Sequence, residues 1–184
     1  MIATNASTTP EQLLTMPDSK GLELVAGRIV EKSMGYDESK LALRIGVILA
    51  NYCWEHGLGE LAGADGGFQC FPNDPHKVRK PDVSFVSQGR LPPDQEVGAY
   101  CRIPPDLAVE VISPNDLFEE VSAKVQEYLE AGVKRVWIVD PVARQLQVHH
   151  SSGGRILTIN DELTDEEILP GFSCPLRRIF ARGQ

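Results

Sequence analysis

The segment DLAVEVI, Asp106 to Ile112, is apolar at every position after the first except Glu110. A strand that is apolar on both faces is one covered on both sides, so this stretch belongs at the centre of a sheet. Pro114 stops it, since proline supplies no N–H to continue a ladder. Leu117 to Ala131 then carries apolar residues at helical spacing and closes at Gly132. KRVWIVD, Lys134 to Asp140, is a second strand of the two-sided kind. Strand, helix, strand predicts a parallel crossover, with one acid buried in its first strand.

Working outward, Pro10 to Met16 predicts a short helix capped by Thr9. Gly21 to Ala26 and Arg28 to Met34, divided at Gly27, predict a β-hairpin. Asp37 to about Glu55 repeats Leu41, Ala42, Ile45, Ile48, Leu49 and Tyr52 at helical spacing and ends at Gly57. Short strands are expected at Gly59 to Ala62, Phe68 to Phe71 and Asp82 to Ser87, with a turn at Asn73-Asp74-Pro75. A proline-rich loop runs from Leu91 to Pro105. Beyond the crossover, Arg144 to His150 and Arg155 to Ile159 predict a hairpin across Ser151 to Gly154, and Pro175 to Phe180 a short apolar close. The expected architecture is α/β (α+β): a mixed sheet flanked by helices.

The 184 residues suit one domain spanning 1–184, large enough for a core without staples. Apolar content of 42% and charged content of 24% are those of an ordinary folded chain. The N-terminus lacks the basic start and apolar run of a signal peptide, and no eighteen apolar residues run together. A cytoplasmic protein without a membrane partner is the expectation. Cys53, Cys70, Cys101 and Cys174 are scattered without zinc-finger spacing and are expected as reduced core thiols. The net charge of −8 disfavours coating nucleic acid electrostatically, though not a local basic groove.

Glu110 is the chemically informative residue. A carboxylate inside an apolar strand costs several kcal/mol unless cations or donors compensate it. Asp82 opens the strand DVSFV after Pro81; beside DLAVEVI, it would bring two carboxylates to one edge of the sheet. Such a pair suits a hard divalent cation such as magnesium. At about 100° per residue, Leu117, Phe118, Val121, Val125, Tyr128 and Leu129 fill a sector of roughly 120° of their helix. Lys124 lies about 20° outside it on that wheel, whereas Glu119, Glu120, Glu127 and Glu130 fall farther off. Its ammonium could meet a phosphate oxygen. Glu38 falls inside the apolar sector of the long helix and is a candidate additional acid, although Asp37 as cap and Glu38 complementing the helix dipole is the commoner use of such acids. Lys77, Arg79 and Lys80 are candidates to touch a nucleic-acid backbone, or simply a solvated loop. Asp82 as a turn acceptor and Glu110 with Lys124 as a structural ion pair is the bland alternative. His149 and His150 adjoin on a strand and so point to opposite faces. His56 and His76 are expected at the surface, and Trp54 and Trp137 in packing.

Lys80-Pro81-Asp82, Glu110-Val111-Ile112-Ser113-Pro114, Lys124 and VWIVDP at Val136 to Pro141, standing in that order after the ELVAGRIVE hairpin at Glu23, resemble the Uma-type restriction endonuclease family. That family is a branch of the PD-(D/E)XK nuclease superfamily common in bacteria. The resemblance implies a restriction-endonuclease-like fold and metal-dependent hydrolysis of nucleic-acid phosphodiesters. It implies that Asp82 and Glu110 hold Mg2+ (or Mn2+), with the Val111 backbone carbonyl as third ligand, and that the substrate is a nucleic acid, with DNA the expected one and RNA left open by the sequence. The superfamily lysine often follows the second acid by two positions; Ile112 stands there, and Lys124 matches the family's relocation of that lysine to the next helix. A homodimer would supply two strand cuts. The competing class is a catalytically silent nuclease-fold protein acting as a binding or assembly module.

Overall fold

The computed structural model describes residues 7–32, 34–94, 98–114 and 116–181. Its centre is the expected crossover. Strand β5 (Leu107–Val111), helix α3 (Phe118–Glu130) and strand β6 (Arg135–Asp140) form the unit, and β5 pairs with β6 in parallel from Leu107↔Arg135 to Val111↔Val139. Every residue of β5 is buried. Gly132, at φ +95°, ends α3 in the left-handed conformation that glycine adopts without penalty.

Four more strands join this pair: β3 (Gly59–Gly63), β4 (Val83–Ser87), β7 (Gln145–His150) and β8 (Gly153–Leu157). The order is β3-β4-β5-β6-β7-β8, and all neighbours except β5 and β6 run antiparallel. Alternation along β5 sends Leu107, Val109 and Val111 to one face and Ala108 and Glu110 to the other. The first face packs on helix α2 (Tyr36–Glu55) through Leu41, Ile45 and Leu49. The second packs on α3 through Val125 and Tyr128. Helix α1 (Pro10–Thr15), capped by Thr9 with Gln12 returning the bond, rests on the hairpin of β1 (Leu22–Val25) and β2 (Arg28–Glu31). Ala26 and Gly27 turn that hairpin, both at positive φ, as a two-residue loop between twisted strands requires.

Several expectations are corrected. Phe68 to Phe71 is not a strand: Phe68 makes isolated bridges to Arg79 and Cys101 only. An antiparallel pair, β9 (Glu162–Asp165) and β10 (Leu169–Pro175), was not foreseen; it precedes helix α4 (Leu176–Ile179) and packs Leu163, Leu169 and Phe172 into the α2-side core. Trp54 is 62% exposed, whereas Trp137 is fully buried. Leu117 and Phe118, assigned to the buried stripe of α3, are exposed in its opening turn. The N-cap of α2 is Gly35 rather than Asp37. All four cysteines are free, with Cys53 and Cys174 buried and Cys70 and Cys101 half-buried. Among the described residues no helix is long and apolar enough to cross a membrane.

Candidate active site

Val83 pairs with Val109 in the antiparallel β4–β5 ladder, so Asp82 and Glu110 sit one step further along, opposite each other on the α3 face. Each carboxylate has one oxygen anchored by a protein donor. The Val111 N–H donates to Asp82 Oδ2 at 2.7 Å, and the Tyr128 hydroxyl donates to Glu110 Oε1 at 2.7 Å. The remaining oxygens, Asp82 Oδ1 and Glu110 Oε2, face one cation: Lys32 Nζ stands 2.7 Å from the first and 2.9 Å from the second. Lys32 also donates to the Lys80 carbonyl at 2.8 Å. Lys32 is the partner of Asp82 Oδ1.

Lys124 arrives from α3 as the wheel predicted, with Nζ 3.4 Å from Glu110 Oε2 and 3.3 Å from Glu23 Oε2. Glu23, on β1, also accepts from Arg79 at 2.7 Å and from the Lys80 N–H at 2.8 Å. Arg79 reaches on to Glu127, which Lys77 holds as well. Four carboxylates (Glu23, Asp82, Glu110, Glu127) thus meet four cations (Lys32, Lys77, Arg79, Lys124) in one network between sheet, hairpin and α3. A buried charge is tolerated only when paired, and here the pairing is complete.

The acids differ in proton affinity. Burial raises the Asp82 carboxyl to about 6, Glu110 adds to the rise, and Lys32 opposes it. Burial also works to raise Glu110, but Lys124, Lys32 and the Tyr128 hydroxyl outweigh it and leave Glu110 below the usual carboxylate range. For Lys32, desolvation is overcome by Glu110 and Asp82, and its ammonium is held above the ordinary lysine value.

A cavity of about 310 Å³ opens over this network, walled by Val30 and Lys32 of the hairpin side, Asp82 and Glu110 of the sheet, and Val121 and Lys124 of α3. Glu31, Asp116 and Glu120 also line it. The family model described as "Putative restriction endonuclease" matches residues 10–177, which takes in every wall of this cavity. The chain belongs to the Uma2 family. A crystal structure of a "putative nuclease" from Anabaena variabilis is similar to this Uma2 chain in fold, with a TM-score of 0.78 at 16% identity over 94% of this chain and 97% of that one. No curated protein matches the sequence.

Within the Uma2 chain, Asp82, Glu110 and Lys124 are brought together, and Val111 adjoins them in the cavity wall. Glu38 is not: its carboxylate folds back over Gly35, and it lines no wall of this cavity. Lys77, Arg79 and Lys80 are corrected too. Rather than forming an open basic loop, the first two pair inward with Glu127 and Glu23, and Lys80 is buried with its ammonium on the Ser19 carbonyl. Glu127, placed far from the stripe by the wheel, also turns inward to Arg79. Lys32 and Glu23 were missed. Glu23 is buried beside Leu24 in β1, where alternation would have turned it outward, and Lys32 follows a strand whose residues are all exposed; neither carries a local signal.

The donor set fits a hard divalent ion in part. Two carboxylates each turn one oxygen to a common point, the position of the Lys32 ammonium. Among the described residues, however, no group of three or more His, Cys, Asp or Glu side chains could hold a metal. Water and backbone oxygen would have to complete the shell, as magnesium sites commonly allow.

Proposed function

We propose that this Uma2 protein hydrolyses phosphodiester bonds of DNA in the cytoplasm, with Asp82 and Glu110 holding Mg2+ or Mn2+, the Val111 carbonyl as a further ligand, and Lys124 facing the phosphate. The observation that carries this reading is the convergence of Asp82 Oδ1 and Glu110 Oε2 on one cation position while their other oxygens are fixed by Val111 and Tyr128. A divalent ion, when bound, supplies a Lewis acid and eases the deprotonation of water.

The rest is the work of side chains. The Val111 amide and the Tyr128 hydroxyl keep both carboxylates in register, so that no reorganisation is needed during reaction. Lys124 lines the cavity at the edge of the acid pair, where its ammonium can stabilise charge gathering on a phosphoryl oxygen. A second copy would be needed to cut both strands of a duplex at once.

A second reading, a catalytically silent binding or assembly module, draws support from Lys32, which already bridges the acid pair, and from acids at the cavity wall. Incubation of purified protein with supercoiled plasmid and with single-stranded DNA, with Mg2+ or Mn2+, separates the two. The nuclease reading expects metal-dependent nicking that Asp82→Ala abolishes; no cleavage of either substrate with either metal favours the silent module.

A further inference from the structure

Lys32 stands where a metal would stand. Its ammonium is ringed by three oxygens from three places in the chain: Asp82 Oδ1 at 2.7 Å, Glu110 Oε2 at 2.9 Å and the Lys80 carbonyl at 2.8 Å. The two carboxylate oxygens are those that Val111 and Tyr128 leave uncommitted. The side chain is only 14% exposed. Its backbone is pinned as well, for the Lys32 N–H donates to the Gly21 carbonyl at 2.7 Å.

We propose that Lys32 is the resident counter-cation of the metal seat, and that a divalent ion enters only by exchanging with its ammonium. The proposal rests on the reading that Asp82 and Glu110 are metal ligands. A divalent ion seated between Asp82 Oδ1 and Glu110 Oε2 would take the position the ammonium itself holds, and repulsion between the two centres at about 3 Å or less is many times thermal energy even with strong screening. A lysine stem is long and flexible, and the cavity beside it offers room for the displaced ammonium. Lys124 differs: it straddles Glu23 and Glu110 at 3.3 and 3.4 Å, makes no ion pair with Asp82, and need not leave.

Two consequences follow. Lys32 bridges the acid pair and Lys124 adds a second positive charge at Glu110 before metal arrives, so the fold does not depend on metal. The apparent metal affinity is set below what two carboxylates would give, by the cost of extracting Lys32. The site then fills only when the free metal concentration is high enough to win that exchange.

Calorimetric titration of Mn2+ and Mg2+, with thermal melts at each metal concentration, tests this without any cleavage assay. Lys32→Gln is expected to bind Mn2+ about ten-fold more tightly than the wild type, or better, and to gain more thermal stability from it, while melting lower in metal-free buffer. Lys32→Arg, which keeps the charge, is expected to bind Mn2+ no more tightly than the wild type, and guards against a Lys32→Gln protein that does not fold. Equal or weaker Mn2+ binding by Lys32→Gln overturns the proposal, as does tighter binding by Lys32→Arg. An Asp82→Asn, Glu110→Gln double variant separates it from the reading beneath: if the Mn2+ response survives there, the metal seat lies elsewhere and both fail. If the response is lost there but unchanged in Lys32→Gln, only the role of Lys32 fails.

Discussion

The Val111 N–H donates to Asp82 Oδ2 at 2.7 Å, tying the residue just before β4 to the last residue of β5. Because this bond needs an acceptor and not a charge, Asp82→Asn can keep it while removing the anion. It also turns an amide N–H2 toward the Lys32 ammonium and removes one carboxylate from that buried cation, so a loss of about 1 to 3 kcal/mol is expected. Its DNA cleavage should fall at least about 100-fold. Chemical denaturation and plasmid nicking on one preparation check both halves.

Tyr128 is fully buried, and its hydroxyl donates to Glu110 Oε1 at 2.7 Å. Tyr128→Phe keeps the ring that fills the α3-side core and strips a buried carboxylate oxygen of its donor. A loss of about 1 to 3 kcal/mol is expected in urea unfolding. A loss near zero would show that another group takes the oxygen over.

Lys124 touches both Glu23 and Glu110, so its removal affects charge balance as well as reaction. Lys124→Met is expected to lower the cleavage rate about 100-fold while the circular dichroism stays that of the wild type. Lys124→Arg should recover part of the rate. A Lys124→Met protein that cleaves at full speed would remove this side chain from the chemistry.

Asp106, at the foot of β5, accepts from the Ser87 N–H at 2.8 Å and pairs with Arg90 at 2.6 Å and Lys134 at 2.9 Å. Burial opposes its charge, but these partners win and lower the carboxyl from 3.8 to about 2. A depressed acid stabilises the fold above its unfolded value and loses that contribution as pH falls through its folded value. Stability from Asp106 is therefore complete above about pH 4 and disappears toward pH 2. Asp106→Asn should cost about 2 kcal/mol at pH 7 and flatten the acid limb of the stability curve. Urea unfolding at pH 7, 4 and 2.5 reads the difference.

What the sequence made legible follows from how local each signal is. DLAVEVI announced a two-sided strand because every residue in it reports the same environment, and all of β5 is buried. Lys124 could be placed because a helix converts spacing into direction. Lys32 could not: it meets Glu110 across 78 positions, through a hairpin whose own strand reads as surface. Arg79 and Lys80 looked like loop charges because the bridges that bury them, to Phe68 and from Val78 to Leu24, are single pairs without a strand pattern. β10 escaped because Pro170 and Gly171 interrupt it, and its register with β9 shifts there. Trp54 was expected to pack on its size alone, yet it lies 62% exposed while Trp137 is fully buried. Acrylamide should accordingly quench one emission component, and Trp54→Phe should remove it.

The most direct test of the acid pair as a metal seat is anomalous diffraction at the manganese edge, from crystals soaked in Mn2+ at a concentration that supports cleavage. A single strong peak between the strands, about 2 to 2.5 Å from Asp82 Oδ1 and Glu110 Oε2, with the Lys32 ammonium swung into the cavity, is the predicted result. A map in which Lys32 still bridges the two carboxylates and manganese binds elsewhere, or nowhere, would contradict it.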